Sequence, residues 1–208
     1  MPRKFIKIFL IILGISGLAL EYPAFGVVSI GLSGMGSQRN ANLEKRQDTS
    51  GSVNLSLALG NHFRISLNHR RGFEKTSGFR IFNSDEGYQK FSENVDSTMY
   101  AVNLTLVLYN GLVSPYVFGG LANKYYEQEF SIKEGRGAGS TLTTDFSLQG
   151  VPNYGFGFAI YLNRKFSFKI TQTFSPGKRT TILDDGTPSE QETVVDSYTQ
   201  VGINYSLF

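Results

Sequence analysis

The chain has no cysteine, no tryptophan and only two histidines. Without cysteine it has no disulfide staple, no thiolate metal site and no lipid-modified anchor. His62 and His69 alone make a poor basis for a metal centre, and the sequence gives no reason to expect a metal or a cofactor. Long apolar runs are missing too. Beyond the first 26 residues nothing approaches the roughly 20 apolar residues of a membrane helix. Mean hydropathy is slightly negative, which reads as soluble. An alternating strand averages its two faces away, however, so hydropathy is blind to a membrane barrel.

What is plentiful is glycine (23), phenylalanine (17) and tyrosine (11) in 208 residues, a profile of strands and turns. Residues 1–26 differ in kind. Arg3, Lys4 and Lys7 precede the apolar run Phe9-Leu10-Ile11-Ile12-Leu13, and Ala24-Phe25-Gly26 is a small-x-small ending. This pattern predicts a secretory signal peptide over 1–26 and a mature domain over 27–208. Most of the excess positive charge belongs to that leader, so basicity gives no support for nucleic-acid binding.

The rest of the chain reads as eight strands of period two. Val28, Ile30 and Leu32 alternate with small or polar residues, as do Val53 to Leu59, Phe63 to Leu67 and Tyr100 to Leu108. A fifth strand spans roughly 115–126. Residues 154–174, "YGFGFAIYLNRKFSFKITQTF", form a hairpin whose first strand extends back through Phe146 and Leu148. Val201, Ile203, Tyr205 and Leu207 mark the eighth. Pro152 predicts a bulge or weakened pairing in the sixth strand. Three tight turns (60–62, 109–113, 163–165) alternate with four long polar connections (34–51, 70–98, 124–145, 175–196).

Charge placement fixes which face is which. Beyond the leader, every Asp and Glu falls in the four long connections. Only Arg64 and Lys169 are read within strands, both in the phase opposite the greasy residues. A lipid-facing Arg or Lys at mid-depth costs roughly 2–4 kcal/mol. The large apolar side chains are therefore expected to face lipid, with Gly, Ser, Thr, Asn, Arg64 and Lys169 inside. A secreted lipocalin-type barrel requires the reverse. An open sheet edge in hydrocarbon strands peptide groups, so the fold class is an all-β, eight-stranded, up-and-down antiparallel transmembrane barrel with short periplasmic turns and long extracellular loops. Glycine or alanine at 155, 157, 159 and 202 is expected to make room for Arg64 and Lys169. Phe63, Tyr109, Tyr116, Phe166 and Tyr205 near the turns, and Tyr100, Tyr125, Tyr154 and Tyr198 further along, suit the interfacial belts.

The leader, "SPYVFGGLANKYY" (114–126), "YGFGFAIYLNRKFSFKI" (154–170) and the ending "VGINYSLF" resemble the small eight-stranded outer-membrane barrels of Gram-negative bacteria, the OmpX and OmpA membrane-domain type. The resemblance implies an outer-membrane location and contact with outer-membrane lipid and lipopolysaccharide. It also implies delivery by the barrel-insertion machinery, with Phe208 as part of the insertion signal. The usual in-phase aromatic two residues earlier is replaced by Ser206.

Catalytic signals are sparse. Ser66 and His69 lie three apart in one strand and so point to opposite faces. His62 is expected to be a solvated turn residue. The glycine-rich segments 31–36 and 134–139 lack the strand-to-helix context of a phosphate loop, and the carboxylates of 183–192 lack calcium-loop spacing. The candidate site is the lumen: Arg64 and Lys169, with Tyr161, Gln149 and Asn68 as inward partners, form a polar plug or, alternatively, an anion-favouring constriction. The expected role is a non-enzymatic scaffold presenting four polar loops. A narrow porin-like channel is the alternative, and an outer-membrane lipid hydrolase is third.

Overall fold

A computed structural model describes residues 25–41, 43–81, 88–133, 140–182 and 188–207. The signal-peptide reading rests on residues outside this set, apart from Phe25 and Gly26, and so does Phe208. The described residues form eight strands: β1 (Phe25–Ala41), β2 (Glu44–Leu59), β3 (Phe63–Ile81), β4 (Tyr88–Val107), β5 (Val113–Lys133), β6 (Ser140–Tyr161), β7 (Phe166–Ile182) and β8 (Pro188–Ser206). Each pairs antiparallel with its sequence neighbour, and β1 pairs β8 to close the barrel.

The three tight turns stand where the sequence puts them. The four long connections do not: most of their length is strand. The β2–β3 ladder continues in register up to Glu44–Gly78, and β3–β4 up to Ile81–Tyr88. These extensions are hidden in the sequence because the outward face loses its apolar period; in β4 to β6 the apolar residues turn inward instead, where Phe91, Phe130 and Ile132 pack with Leu142. Strand membership therefore extends to many charged residues besides Arg64 and Lys169.

The outer face carries one apolar belt. Ile30, Leu32, Val53, Phe63, Leu104, Leu121, Phe156, Phe158, Ile170 and Ile203 are all exposed, Phe156 at 50%. The belt's upper limit runs through Leu32, Val53, Leu67, Tyr100, Leu121, Tyr154, Phe174 and Val201. Beyond it the outward residues turn polar: Thr49, Arg71, Glu127 and Thr199 are exposed. The inner face is small and polar, with Ser29, Ser56, Ser66, Asn103, Asn153, Gln200 and Asn204 buried. Ser29 and Ser56 bond across the β1–β2 ladder at 2.7 Å, and Asn153 of β6 reaches over Gly120 of β5 to Asn103 of β4 at 2.8 Å. Aromatic pairs flank the belt: Phe166–Tyr205 at 4.9 Å below, Tyr154–Phe174 at 5.9 Å and Tyr100–Tyr125 at 6.4 Å above. Tyr116 and Tyr198 do not belong to the belts. Both are buried inside.

One irregularity changes a face. The β5–β6 register shifts between Ala122 and Lys124, where Ala122 pairs Val151 but Lys124 pairs Leu148. Gln149 and Gly150 together oppose Asn123, whose Oδ1 accepts from the Gly150 N–H at 2.9 Å. Gly150 has φ +63°, the left-handed conformation that glycine adopts freely. This bulge, just before Pro152, inverts the phase. Below it the odd residues point inward; above it Phe146 and Leu148 do, and Gln149 is exposed.

Of the small inward residues expected to make room for the cations, Ala159 and Gly202 flank Lys169 on the two neighbouring strands, whereas Gly155 and Gly157 face aromatic side chains instead. A Cβ on Gly157 would meet Tyr116 Oη at 2.5 Å and the Ile170 carbonyl at 2.4 Å, and one on Gly155 would meet Phe118 at 2.8 Å.

Replacing Gly150 by alanine places a Cβ in a left-handed conformation with open space around it, and is expected to cost about 1–2 kcal/mol. Deleting Gly150 removes the phase inversion and turns one half of β6 inside out. The alanine variant should keep the folded, heat-modifiable band on unheated gels with a lower urea midpoint, and the deletion should lose the band.

Candidate functional site

The interior holds two chambers along the barrel axis. The lower, about 100 Å³, lies within the belt and is lined by Arg64, Asn68, Tyr161 and Lys169, together with Tyr116 and Thr171. The upper, about 290 Å³, lies beyond the belt and is lined by Arg46, Asp48, Arg70, Glu74, Lys178 and Asp196. Tyr198 lines both.

Of the lumen residues read from the sequence, four meet in the lower chamber and one does not. Arg64 Nη2 donates to Tyr161 Oη at 2.6 Å. Asn68 lines the same space with Oδ1 unpartnered. Lys169, on β7 opposite Ala159 and Gly202, has no hydrogen bond or ion pair to any described residue. Gln149 stands outside the chamber, displaced by the bulge at Gly150. Beneath lies a small apolar layer of Val107, Tyr116 and Ala159 against Phe118 and Tyr161, with Tyr116 Oη bonded to Thr171 Oγ1 at 2.6 Å.

The partition above is a second apolar layer. Met99, Ala101, Ala122 and Tyr198 are buried together, with Met35 and Val151 against them. Tyr198 Oη donates to Met99 Sδ at 3.7 Å, and the Arg70 guanidinium lies 3.9 Å from the centre of the Tyr198 ring, a close cation–π contact.

The upper chamber is held by a cluster that the sequence reading did not find. Lys124 Nζ donates to Asp196 Oδ2 at 2.9 Å and to the carbonyls of Pro176 at 2.7 Å and Ser175 at 3.3 Å. Tyr126 Oη donates to the same Asp196 oxygen at 2.8 Å. The Lys124 side chain is only 4% exposed. Burial pulls its ammonium below the ordinary lysine value, and Asp196 opposes that pull. Arg46 bridges Asp48 and Glu74 nearby, at 3.2 and 3.0 Å. The missed signal was phase: Lys124 continues the inward series Ser114, Tyr116, Gly120, Ala122, and Asp196 the series Asn204, Gly202, Gln200, Tyr198.

His62 is less free than its turn suggests, since its Nδ1–H donates to the Val107 carbonyl at 2.8 Å and ties the first turn to β4. Ser66 is buried in the lumen, whereas His69 is exposed on the outer face, its ring 4.7 Å from Tyr100. They form no nucleophile–base pair.

An apolar outer belt, a polar interior and a closed ladder at the level of the belt have one physical solution. The chain is a membrane-spanning eight-stranded β-barrel.

No protein-family model matches the chain, and no curated protein does. Among solved structures it is similar to the outer membrane protein OprG from Pseudomonas aeruginosa, with 12% identity over 88% of this chain and 96% of that one and a TM-score of 0.49. A major outer membrane protein from Thermus thermophilus gives 13%, 87%, 99% and 0.48 in the same order. Ail, the attachment invasion locus protein of Yersinia pestis, gives 14%, 89%, 100% and 0.44.

Removing one partner of a buried ion pair leaves the other charge uncompensated, at about 3–5 kcal/mol. Asp196→Ala should lower barrel stability by about that amount. Lys124→Met combined with Asp196→Leu should recover most of it. Urea unfolding in lipid vesicles, read by gel mobility, distinguishes the two.

Proposed function

We propose that this chain is a non-enzymatic scaffold barrel of the Gram-negative outer membrane. It reaches that membrane through the barrel-insertion machinery after loss of its leader, and presents its extended strands and loops to lipopolysaccharide and surface partners. The observation that carries this reading is the partition: the Tyr198–Met99 layer divides the lumen, so the molecule's working surface is its outside. The outer face of β3 just beyond the belt supports it. His69, Arg71, Phe73 and Lys75 are all exposed there, one every second residue. Cations interleaved with an aromatic ring at that height suit the phosphates and acyl margin of an anionic leaflet.

A narrow channel is the second reading. It is favoured by the fact that one side chain, Tyr198, stands between two chambers on a common axis. Purified wild-type protein in a planar bilayer should be electrically silent, and Tyr198→Ala should open discrete conductance steps. Steps of the same size in both proteins would favour the channel. For the surface role, the double variant Arg71→Ala, Lys75→Ala should bind purified lipopolysaccharide about ten- to thirty-fold more weakly, at about 1 kcal/mol for each cation, as measured by calorimetry in detergent.

A further inference from the structure

The two chambers handle charge differently. In the upper one cations and carboxylates are mixed, and Lys124 and Arg46 each touch a carboxylate. In the lower one Arg64 and Lys169 are the two charged residues of the lining, and no Asp or Glu joins them. Arg64 bonds Tyr161 of β6, and Lys169 pairs with Ala159 two residues along that strand, so the two cations face the same small space. Arg64 Nε is buried without a partner, and Lys169 Nζ has none among the described residues. The chamber lies within the belt, with hydrocarbon around it rather than bulk water, where unpaired charge is most costly.

From this arrangement we infer that the lower chamber is a binding site for a small free oxyanion of the phosphate or sulfate class, held between Arg64 and Lys169. The Arg64–Tyr161 bond occupies Nη2, orients the guanidinium and leaves Nε to donate. Lys169 supplies the facing ammonium. The Tyr161 hydroxyl, which accepts from Arg64, can donate its own proton, and so can one member of the Tyr116–Thr171 pair, whose other proton holds their mutual bond. About 100 Å³ admits one compact ion and no lipid headgroup with its chains. The site goes beyond the scaffold reading, because it needs neither conduction nor a surface partner.

The test is thermal unfolding of the full barrel in a zwitterionic detergent. Inorganic phosphate is titrated in at constant ionic strength against gluconate, an anion too large for the chamber, and calorimetry measures binding directly. Wild type should show saturable binding and a Tm rise of about 5–10 °C at about a hundredfold excess over Kd. Lys169→Met and Arg64→Met should each abolish both. Lys169→Met should also melt higher than wild type in phosphate-free buffer, since it removes an unpaired charge from within the belt and keeps the barrel intact for the comparison. No saturable binding by wild type, or equal binding by Lys169→Met, would overturn the site. So would a shift of the same size from phosphatidylglycerol in the micelle, which would assign the phosphate to lipid. Bilayer conductance is a separate readout, so this site and the scaffold reading can fail independently.

Discussion

In hydrocarbon every peptide N–H and C=O must find its partner within the protein, and the rest of this molecule follows from that requirement. The ladder closes all the way round only at the level of the belt. The β6–β7 pairing runs from Tyr161–Ser167 to Tyr154–Phe174, and the β1–β8 pairing from Ser29–Ser206 to Gly34–Val201. Both end where the outward residues turn polar. Above that line β1 to β6 continue as one six-stranded sheet and β7–β8 as a separate hairpin, which leaves two seams. Water can solvate a free edge, so closure is no longer enforced there. At the β6–β7 seam the protein supplies substitutes for the missing ladder. Ser175 Oγ donates to the Pro152 carbonyl at 2.9 Å, and the Lys124 ammonium takes the Ser175 and Pro176 carbonyls. Asp196 thus has a structural task beyond pairing a charge: it holds Lys124 at the point where backbone pairing has ended.

The same requirement inverts the usual core. With the large side chains turned to lipid, eight strands leave a narrow interior that small and neutral polar groups can fill. Serine–serine and asparagine–asparagine contacts replace apolar packing over much of it. Low in the barrel bulk enters where a glycine on the neighbouring strand yields the space, as Gly157 does for Tyr116 and Gly155 for Phe118. Charge enters at two heights. Beyond the belt it comes with its counter-charges, on strands long enough to carry both signs. Within the belt it comes as Arg64 and Lys169 alone, because no strand carries a carboxylate at that depth.

The sequence was most legible where one face is apolar. Eight strands, three tight turns, the outward direction of Phe156, Phe158 and Leu104, and the placement of Arg64, Asn68, Tyr161 and Lys169 all follow from period two. It was least legible where that contrast fades. Beyond Leu67 the outward face of β3 mixes His69, Arg71 and Lys75 with Phe73 and Phe79, so the strand reads as a loop although its register never breaks. Gln149 was misplaced by a two-for-one bulge whose only mark in the sequence is Gly150, one glycine among many. Tyr116 and Tyr198 share their residue type with the interfacial belts. Only strict phase, counted from Ser114 and from Asn204, separates an inward tyrosine from an outward one. Lys124 and Asp196 are hidden for a related reason: Lys124 stands at the end of the fifth strand, where Gly119-Gly120 blur the phase, and Asp196 lies in a stretch that reads as loop.

Tyr198 stands where these constraints meet. It lies on β8 just above the last β1–β8 pair, so its backbone is laddered to Thr173 of β7 on one side and to nothing on the other. Its ring is positioned from within the barrel, by Arg70 of β3 on one face and by Met99 of β4 at the hydroxyl. That layer is therefore completed by β8 at the top of the closed ladder: β7 still pairs β6 there through Gly155–Thr173 and Tyr154–Phe174, while the β8 edge toward β1 is already open. Beyond Phe174, where the β6–β7 ladder ends, a short set of side-chain contacts continues it: Lys124 and Tyr126 on Asp196, and Ser175 on Pro152, with Arg70 on the Tyr198 ring just below. The seams and the block are thus one mechanical unit. Asp196 lies two residues beyond Tyr198 on the same strand, so the cluster that replaces the missing ladder also anchors the strand that carries the Tyr198 ring.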